Sequence, residues 1–262
     1  FKQNEPLNSP NKIVKFHDTS ITSTSYIVYD LNRNMTLDSK NINQKRAIAS
    51  MTKLVTALVV LDNYDLSSKI TVTQPIPSVD RRLGIKVGDT VVVNNLLNAM
   101  LVYSANDAAI IFANEYSNGG YTGFVKAMND KAKELGMASS HFSNPSGFYD
   151  DNNYSTAKDM LKLSLVTSGE NRITKVTSQP FYTLTYQSKQ LGTNVTQTLI
   201  STDELLPANQ YVKGLKTGFT YASGPSFTSY WVKGKERFLI VVMNSQDRFG
   251  EALRLFNDSI SL

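Results

Sequence analysis

The 262-residue chain contains no cysteine. Disulfides, thiolate zinc sites, iron–sulfur clusters and a cysteine nucleophile are therefore excluded. It has only two histidines, His17 and His141, far apart in sequence and without a histidine partner at metal-ligand spacing. No metal and no Ser-His-Asp triad is expected, so any nucleophilic chemistry needs another base. Long apolar runs are missing too. The longest, Leu54–Leu61, has eight residues, well short of the about 18 that a membrane-spanning helix requires. Nor is there a run of five Lys/Arg, and nucleic acid is not indicated as a partner.

What is present is globular. The composition is 41% hydrophobic and 19% charged, and the length suits one large domain or two small ones. Twenty-seven Lys+Arg against 22 Asp+Glu leave a net charge of +5, a weak bias towards anionic partners. The chain opens on Phe1 and not on Met, so a removed leader or another upstream boundary is expected.

Residues 1–20, with Asn4, Asn8, Asn11 and two prolines, read as an N-terminal arm. Ser25–Asp30 alternates as a half-buried strand does, Asp30–Asn34 is turn chemistry, and Met35–Ser39 returns as a second strand. Ser50–Asp62 has almost no polar face and reads as a buried helix. Helices are expected at about Asn94–Val102, Asn106–Tyr116 and Gly123–Leu135, the last capped by Gly136. Thr156 is the expected N-cap of a further helix, with Asp159 at its positive end. Gly214–Thr220, Ser226–Val232 and Arg237–Asn244 are spaced as an antiparallel meander, with Gly234-Lys235 as its last turn, and Asp247–Ile260 is an amphipathic helix. Strands at both ends and helices between them imply one sheet built from both termini around a helical insertion.

Three short motifs carry chemistry. In Ser50-Met-Thr-Lys53 the serine and lysine share a helix face. A serine hydroxyl needs an adjacent base, and lysine serves when burial or another cation lowers its pKa. Ser50 at a helix start also presents its own N–H to a developing oxyanion. Ser104-Ala-Asn106 follows 54 residues later, between two helices. A serine there can relay a proton, and an amide can orient a carbonyl. Lys216-Thr-Gly218 comes 112 residues after Ser104, on an expected strand. Lys216 supplies positive charge and Thr217 a hydroxyl for a carboxylate, Gly218 lets another backbone approach, and the Phe219 N–H is a second oxyanion donor. Taken singly, each motif reads as readily as a cap, a solvated lysine or a bulge glycine.

Their order and spacing together match the Ser-x-x-Lys, Ser-x-Asn, Lys-Thr-Gly set of penicillin-interacting enzymes. The chain resembles the serine-type D-Ala-D-Ala carboxypeptidases, the low-molecular-mass penicillin-binding proteins of peptidase family S11. Ala49–Ala57, Leu96–Ala109, His141–Gly147, Tyr154–Met160 and Gly214–Thr220 carry the resemblance. Ala105, Asn153 and Ser223 depart from residues common in that family. The resemblance implies an α+β, transpeptidase/β-lactamase-like fold: a five-stranded antiparallel sheet flanked by helices, with 21–262 as one domain and a helical subdomain at about 65–160. It implies a Ser50 acyl-enzyme with Lys53 as base, and Ser104 and Asn106 on the opposite wall. Lys216 and Thr217 hold the substrate carboxylate, and Arg248 adds charge beside them. The implied partners are peptidoglycan stem peptides ending in D-Ala-D-Ala, with β-lactams as covalent inhibitors and no cofactor. The implied location is extracytoplasmic, with peripheral membrane or cell-wall association.

Three rivals stand beside it. A class A β-lactamase needs a deacylating glutamate, usually within Glu-x-x-Leu-Asn, and none of Glu115, Glu134, Glu170 and Glu204 is so followed. A non-catalytic wall-binding protein would tolerate loss of Ser50 or Lys53, and both are present. A serine esterase of related fold would not release D-alanine.

Overall fold

The computed structural model describes residues 20–262; the arm expected over 1–20 lies, but for its last residue, outside them. In chain order the elements are β1 (Ser25–Asp30), β2 (Met35–Lys40), β3 (Arg46–Ala47), a 3-10 turn (Ala49–Thr52), α1 (Lys53–Asn63), β4 (Lys69–Thr71), β5 (Thr90–Val92), α2 (Val93–Val102), α3 (Asn106–Asn114) and α4 (Gly120–Glu134). Then follow β6 (Tyr154–Ser155), α5 (Ala157–Gly169), α6 (Asn171–Thr177), β7 (Phe181–Ser188), β8 (Thr193–Ile200), β9 (Val212–Gly218), β10 (Ser226–Lys233), β11 (Glu236–Met243) and α7 (Arg248–Ser259).

The main sheet has the order β2-β1-β11-β10-β9. Every pairing in it is antiparallel, and Ser25 opposite Met243 joins the two ends of the chain. Alternation along β11 shows why both faces are covered. Leu239, Val241 and Met243 join the cluster under α1 and α5, whereas Phe238, Ile240 and Val242 pack with Ala252, Leu255 and Phe256 of α7. Successive side chains of a strand point to opposite faces, so a strand between two helical layers has to be apolar throughout. On the α7 side Trp231 stacks on Phe256, ring centroids 4.4 Å apart. Each such fully buried side chain contributes roughly 1.5–3 kcal/mol.

α1 is enclosed on nearly all sides, with Leu54, Val55, Ala57 and Val60 inaccessible to solvent. The expected helix from Ser50 begins differently: residues 49–52 form a 3-10 turn, and the α-helix starts at Lys53. Ala49 is held at φ 47°, which no α-helix accommodates. The expected caps are present: the Thr156 side chain accepts from Asp159 N–H, and Gly136 takes φ 67°.

A second sheet, β4-β5-β7-β8, lies beyond α2. Its β7–β8 hairpin is long but shallow, with only Leu184, Tyr186, Ser188 and Leu199 buried. Cross-strand threonines decorate its exposed face, such as Thr185 and Thr196 with hydroxyls 3.1 Å apart. No helix among the described residues is long and apolar enough to cross a membrane.

Candidate active site

The three motifs meet at one end of the main sheet. β9 ends against the 3-10 turn, and Gly218 makes that approach possible: a Cβ there would lie 2.7 Å from the Ile48 carbonyl oxygen. From the other side, Gly147 is pressed against the Ala49–Ser50 peptide. The 144–148 loop is held by Asn144 Oδ1, which accepts from the backbone N–H groups of Gly147 and Phe148. Thr56 donates to the Pro145 carbonyl at 2.7 Å, tying the loop to α1. Asn153 donates to Thr52 Oγ1 at 3.1 Å. Its place ahead of Tyr154-Ser155-Thr156 is thus a brace for the 3-10 turn.

Lys53 is wholly buried. Its Nζ lies 3.0 Å from Ser50 Oγ, 2.7 Å from Asn106 Oδ1 and 2.6 Å from the Ser146 carbonyl. The Asn106 amide is oriented by its Nδ2, which donates to the Asp80 carbonyl at 2.8 Å, so the oxygen faces Lys53. Burial first, then the Lys216 and Arg81 charges, hold Lys53 well below the ordinary lysine range, with Asp107 opposing. A neutral amine has two N–H donors and one lone pair. Two of its three neighbours are carbonyl oxygens that only accept. Once Lys53 is neutral, they take both donors, and the lone pair is left for the Ser50 hydroxyl proton. That is the arrangement of a general base on its nucleophile.

Ser104, between α2 and α3, is held at φ 65°. Its hydroxyl is buried without a hydrogen-bond partner. Backbone strain and an unsatisfied polar group are both costly, and such features concentrate at functional sites. Asn106 opens α3, and Asp107 behind it accepts from Leu83 and Gly84 N–H, fixing the loop that carries Asp80 and Arg81.

Lys216 and Thr217 are buried on β9. Thr217 donates to Thr202 Oγ1 at 2.6 Å. Burial, then Arg81 and Arg248, push the Lys216 pKa down to about 7, against the pull of Asp203. Arg248, at the start of α7, donates from Nη1 to the Gly218 carbonyl at 3.1 Å. Phe219 is largely exposed and meets Tyr221 edge-on, centroids 5.8 Å apart. The structure therefore assembles Ser50, Lys53 and Asn106 by direct contact. It places Lys216, Thr217, Gly218 and Arg248 along the adjoining strand end. Among the described residues no group of three or more His, Asp or Glu is placed to hold a metal ion.

Sequence motifs alone did not reveal Arg81, Ser146 and Asp203. Arg81 and Asp203 act through charge from loops, and Ser146 through its backbone carbonyl, so no side-chain pattern marks them. Only the 141–147 resemblance pointed at the Ser146 segment.

The peptidase S11 family model, described as D-alanyl-D-alanine carboxypeptidase, matches residues 12–247. The chain is 33% identical over 252 residues to a D-alanyl-D-alanine endopeptidase of Escherichia coli, covering 90% of this chain and 76% of that protein. It is 30% identical over 228 residues to the D-alanyl-D-alanine carboxypeptidase DacF of Bacillus subtilis, covering 84% of this chain but only 57% of that one. The crystal structure of the Streptomyces K15 DD-transpeptidase superposes with a TM-score of 0.86 at 25% identity, over 94% of this chain and all of that one. With the Ser50–Lys53 pair standing at the junction that this fold creates, the chain belongs to the D-alanyl-D-alanine carboxypeptidase family, peptidase S11.

Proposed function

We propose that this protein is a serine DD-peptidase that removes the terminal D-alanine from peptidoglycan stem peptides. The observation that carries the reading is the Lys53 environment: Nζ at 3.0 Å from Ser50 Oγ, with its other two partners both carbonyl oxygens. Lys53 takes the Ser50 proton as Oγ attacks the carbonyl carbon between the two D-alanines. The Ser50 and Phe219 N–H groups face the oxyanion. The proton then passes from Lys53 through the Ser104 hydroxyl to the amine of the departing D-alanine, and the C–N bond breaks. Water, deprotonated by the same groups, hydrolyses the ester. Lys216, Thr217 and Arg248 hold the terminal carboxylate, which matches the cationic character of this end of the cleft. Such a substrate places the enzyme outside the cytoplasm, at the cell wall.

No glutamate between Ser104 and Lys216 lies in a Glu-x-x-Leu-Asn motif, so the deacylating water has to be activated by the groups that served acylation. That favours slow deacylation of any acyl group that blocks the approach of water. A β-lactam is such a group, because its opened ring stays tethered to the acyl carbonyl.

Incubation with a D-Ala-D-Ala pentapeptide is expected to release D-alanine, and a fluorescent penicillin to leave one adduct, on Ser50, that lasts for minutes. Peptide mass spectrometry reads both. Rapid sustained nitrocefin hydrolysis with no D-alanine released would overturn the reading in favour of a β-lactamase. An adduct on Ser104 would remove Ser50 as nucleophile.

A further inference from the structure

The carboxylate end of the cleft is crowded with positive charge. Lys216 feels Arg81 and Arg248, and both work to strip its proton. A lysine that loses its proton near neutral pH is a poor ligand for a carboxylate, so something has to oppose them. Segment 201–203, just after β8, is the place to look. Thr202 N–H donates to the Val102 carbonyl at 3.2 Å, beside the Ser104 turn. The Thr202 hydroxyl accepts from Thr217 at 2.6 Å. One residue later stands Asp203, buried, with Oδ1 accepting from Leu205 N–H at 3.0 Å. Its Oδ2 is buried and has no hydrogen-bond partner.

A buried carboxylate oxygen without a donor is costly. It persists where nearby charge compensates, and Lys216 and Arg248 supply that charge here, with Glu204 opposing. We propose that Asp203 is a positioning residue of the active site: its carboxylate increases the share of Lys216 that carries charge and so tunes how strongly the enzyme takes a substrate's terminal carboxylate. The inference rests on the carboxypeptidase reading given above.

The sign of the effect follows from the two groups. Burial raises Asp203 to about 6, so it is anionic above that pH and supports the Lys216 charge there. Below it Asp203 is neutral, but Lys216 is charged without help. Removing the Asp203 charge therefore weakens carboxylate binding at alkaline pH and leaves acid pH alone. A merely structural role would shift every pH equally.

The test is kcat/KM for D-alanine release from a free-acid peptide across pH 5–9, which reports the free enzyme. Asp203→Asn is expected to match wild type within about twofold at pH 5.5. At pH 8 it should fall about five- to tenfold, the size of a drop in the Lys216 pKa approaching one unit. The alkaline limb moves to lower pH. Asp203→Glu, which keeps the charge, restores the limb, and with a thioester lacking the carboxylate the Asp203→Asn loss at pH 8 is smaller than with the free-acid peptide. Parallel profiles, or a gain at pH 8 from relieved repulsion, would overturn the role of Asp203. Absence of D-alanine release by the wild type would instead overturn the carboxypeptidase reading itself.

Discussion

Lys53→Met is expected to reduce acylation of Ser50 by roughly a thousandfold, within the about 10²–10⁴ that a positioned general base contributes. The methionine side chain fills nearly the same volume, so the change removes the lone pair without opening a large cavity. It strands the Asn106 Oδ1 and Ser146 carbonyl acceptors, which now take the two Lys53 donors. Each stranded acceptor costs about 1–3 kcal/mol, offset in part because the buried amine is gone. The variant should therefore fold with a modestly lower Tm. Stopped-flow labelling with a fluorescent penicillin measures the rate, and thermal melting reports the fold. Labelling at close to the wild-type rate by a folded Lys53→Met protein would show that Lys53 is not the base.

Gly147→Ala is the second large effect, and it acts through shape. Gly147 has φ 85°, and a Cβ there would stand 1.9 Å from the Ala49 carbonyl oxygen and 2.9 Å from Ser50 N. These are backbone atoms, so no side chain can swing away. Either the 144–148 loop lifts, taking the Ser146 carbonyl off Lys53, or the Ala49–Ser50 peptide moves and carries the nucleophile with it. Both cost activity. Gly192→Ala is the control, because it has φ 67° and nothing within 4 Å. It isolates the left-handed backbone penalty, about 1–2 kcal/mol. Gly147→Ala should lower the Tm by about 10 °C, at roughly 2–4 °C per kcal/mol for a domain of this size. It should also slow acylation more than tenfold, while Gly192→Ala acylates normally. If the two variants behaved alike, the close approach at Gly147 would have no bearing on the site.

The legible parts of the molecule share one property: their chemistry or periodicity is local. β1, β10 and β11 read as strands, although β1, expected half-buried, is buried along its whole length; α7 is amphipathic, and Thr156 and Gly136 punctuate helices in ways that short-range sterics dictate. Ser50 and Lys53 were readable because three residues of helical rise bring them together, and a 3-10 turn preserves that relation. What stayed illegible depends on the sheet and loops closing. Phe181–Ser188 and Thr193–Ile200 carry no chemical motif and bury few positions, although Tyr182, Leu184 and Tyr186 alternate with Thr183, Thr185 and Gln187 as a strand does. Arg81 lies in a segment without regular structure, and only the fold brings its charge to Lys53 and Lys216. The turn at Ser50 differs from the expected helix because Ala49 stands at φ 47°, and that peptide is packed against Gly147, almost a hundred residues away.

The two buried lysines make the folded protein a poorer proton acceptor than its own unfolded chain. Lys216 titrates near 7 in the fold against an ordinary 10.5, and Lys53 is displaced in the same direction. Between those pH values the unfolded chain holds protons that the native site has released. Unfolding is therefore accompanied by proton uptake, and stability climbs as pH rises from about 7 towards 10 on account of these groups. In calorimetry at pH 8 the apparent unfolding enthalpy should depend on the buffer's own heat of ionisation, because the buffer supplies those protons. Tris and phosphate would then give different enthalpies for the same protein. A base made ready for catalysis is in this sense a standing thermodynamic load, lightest in alkali.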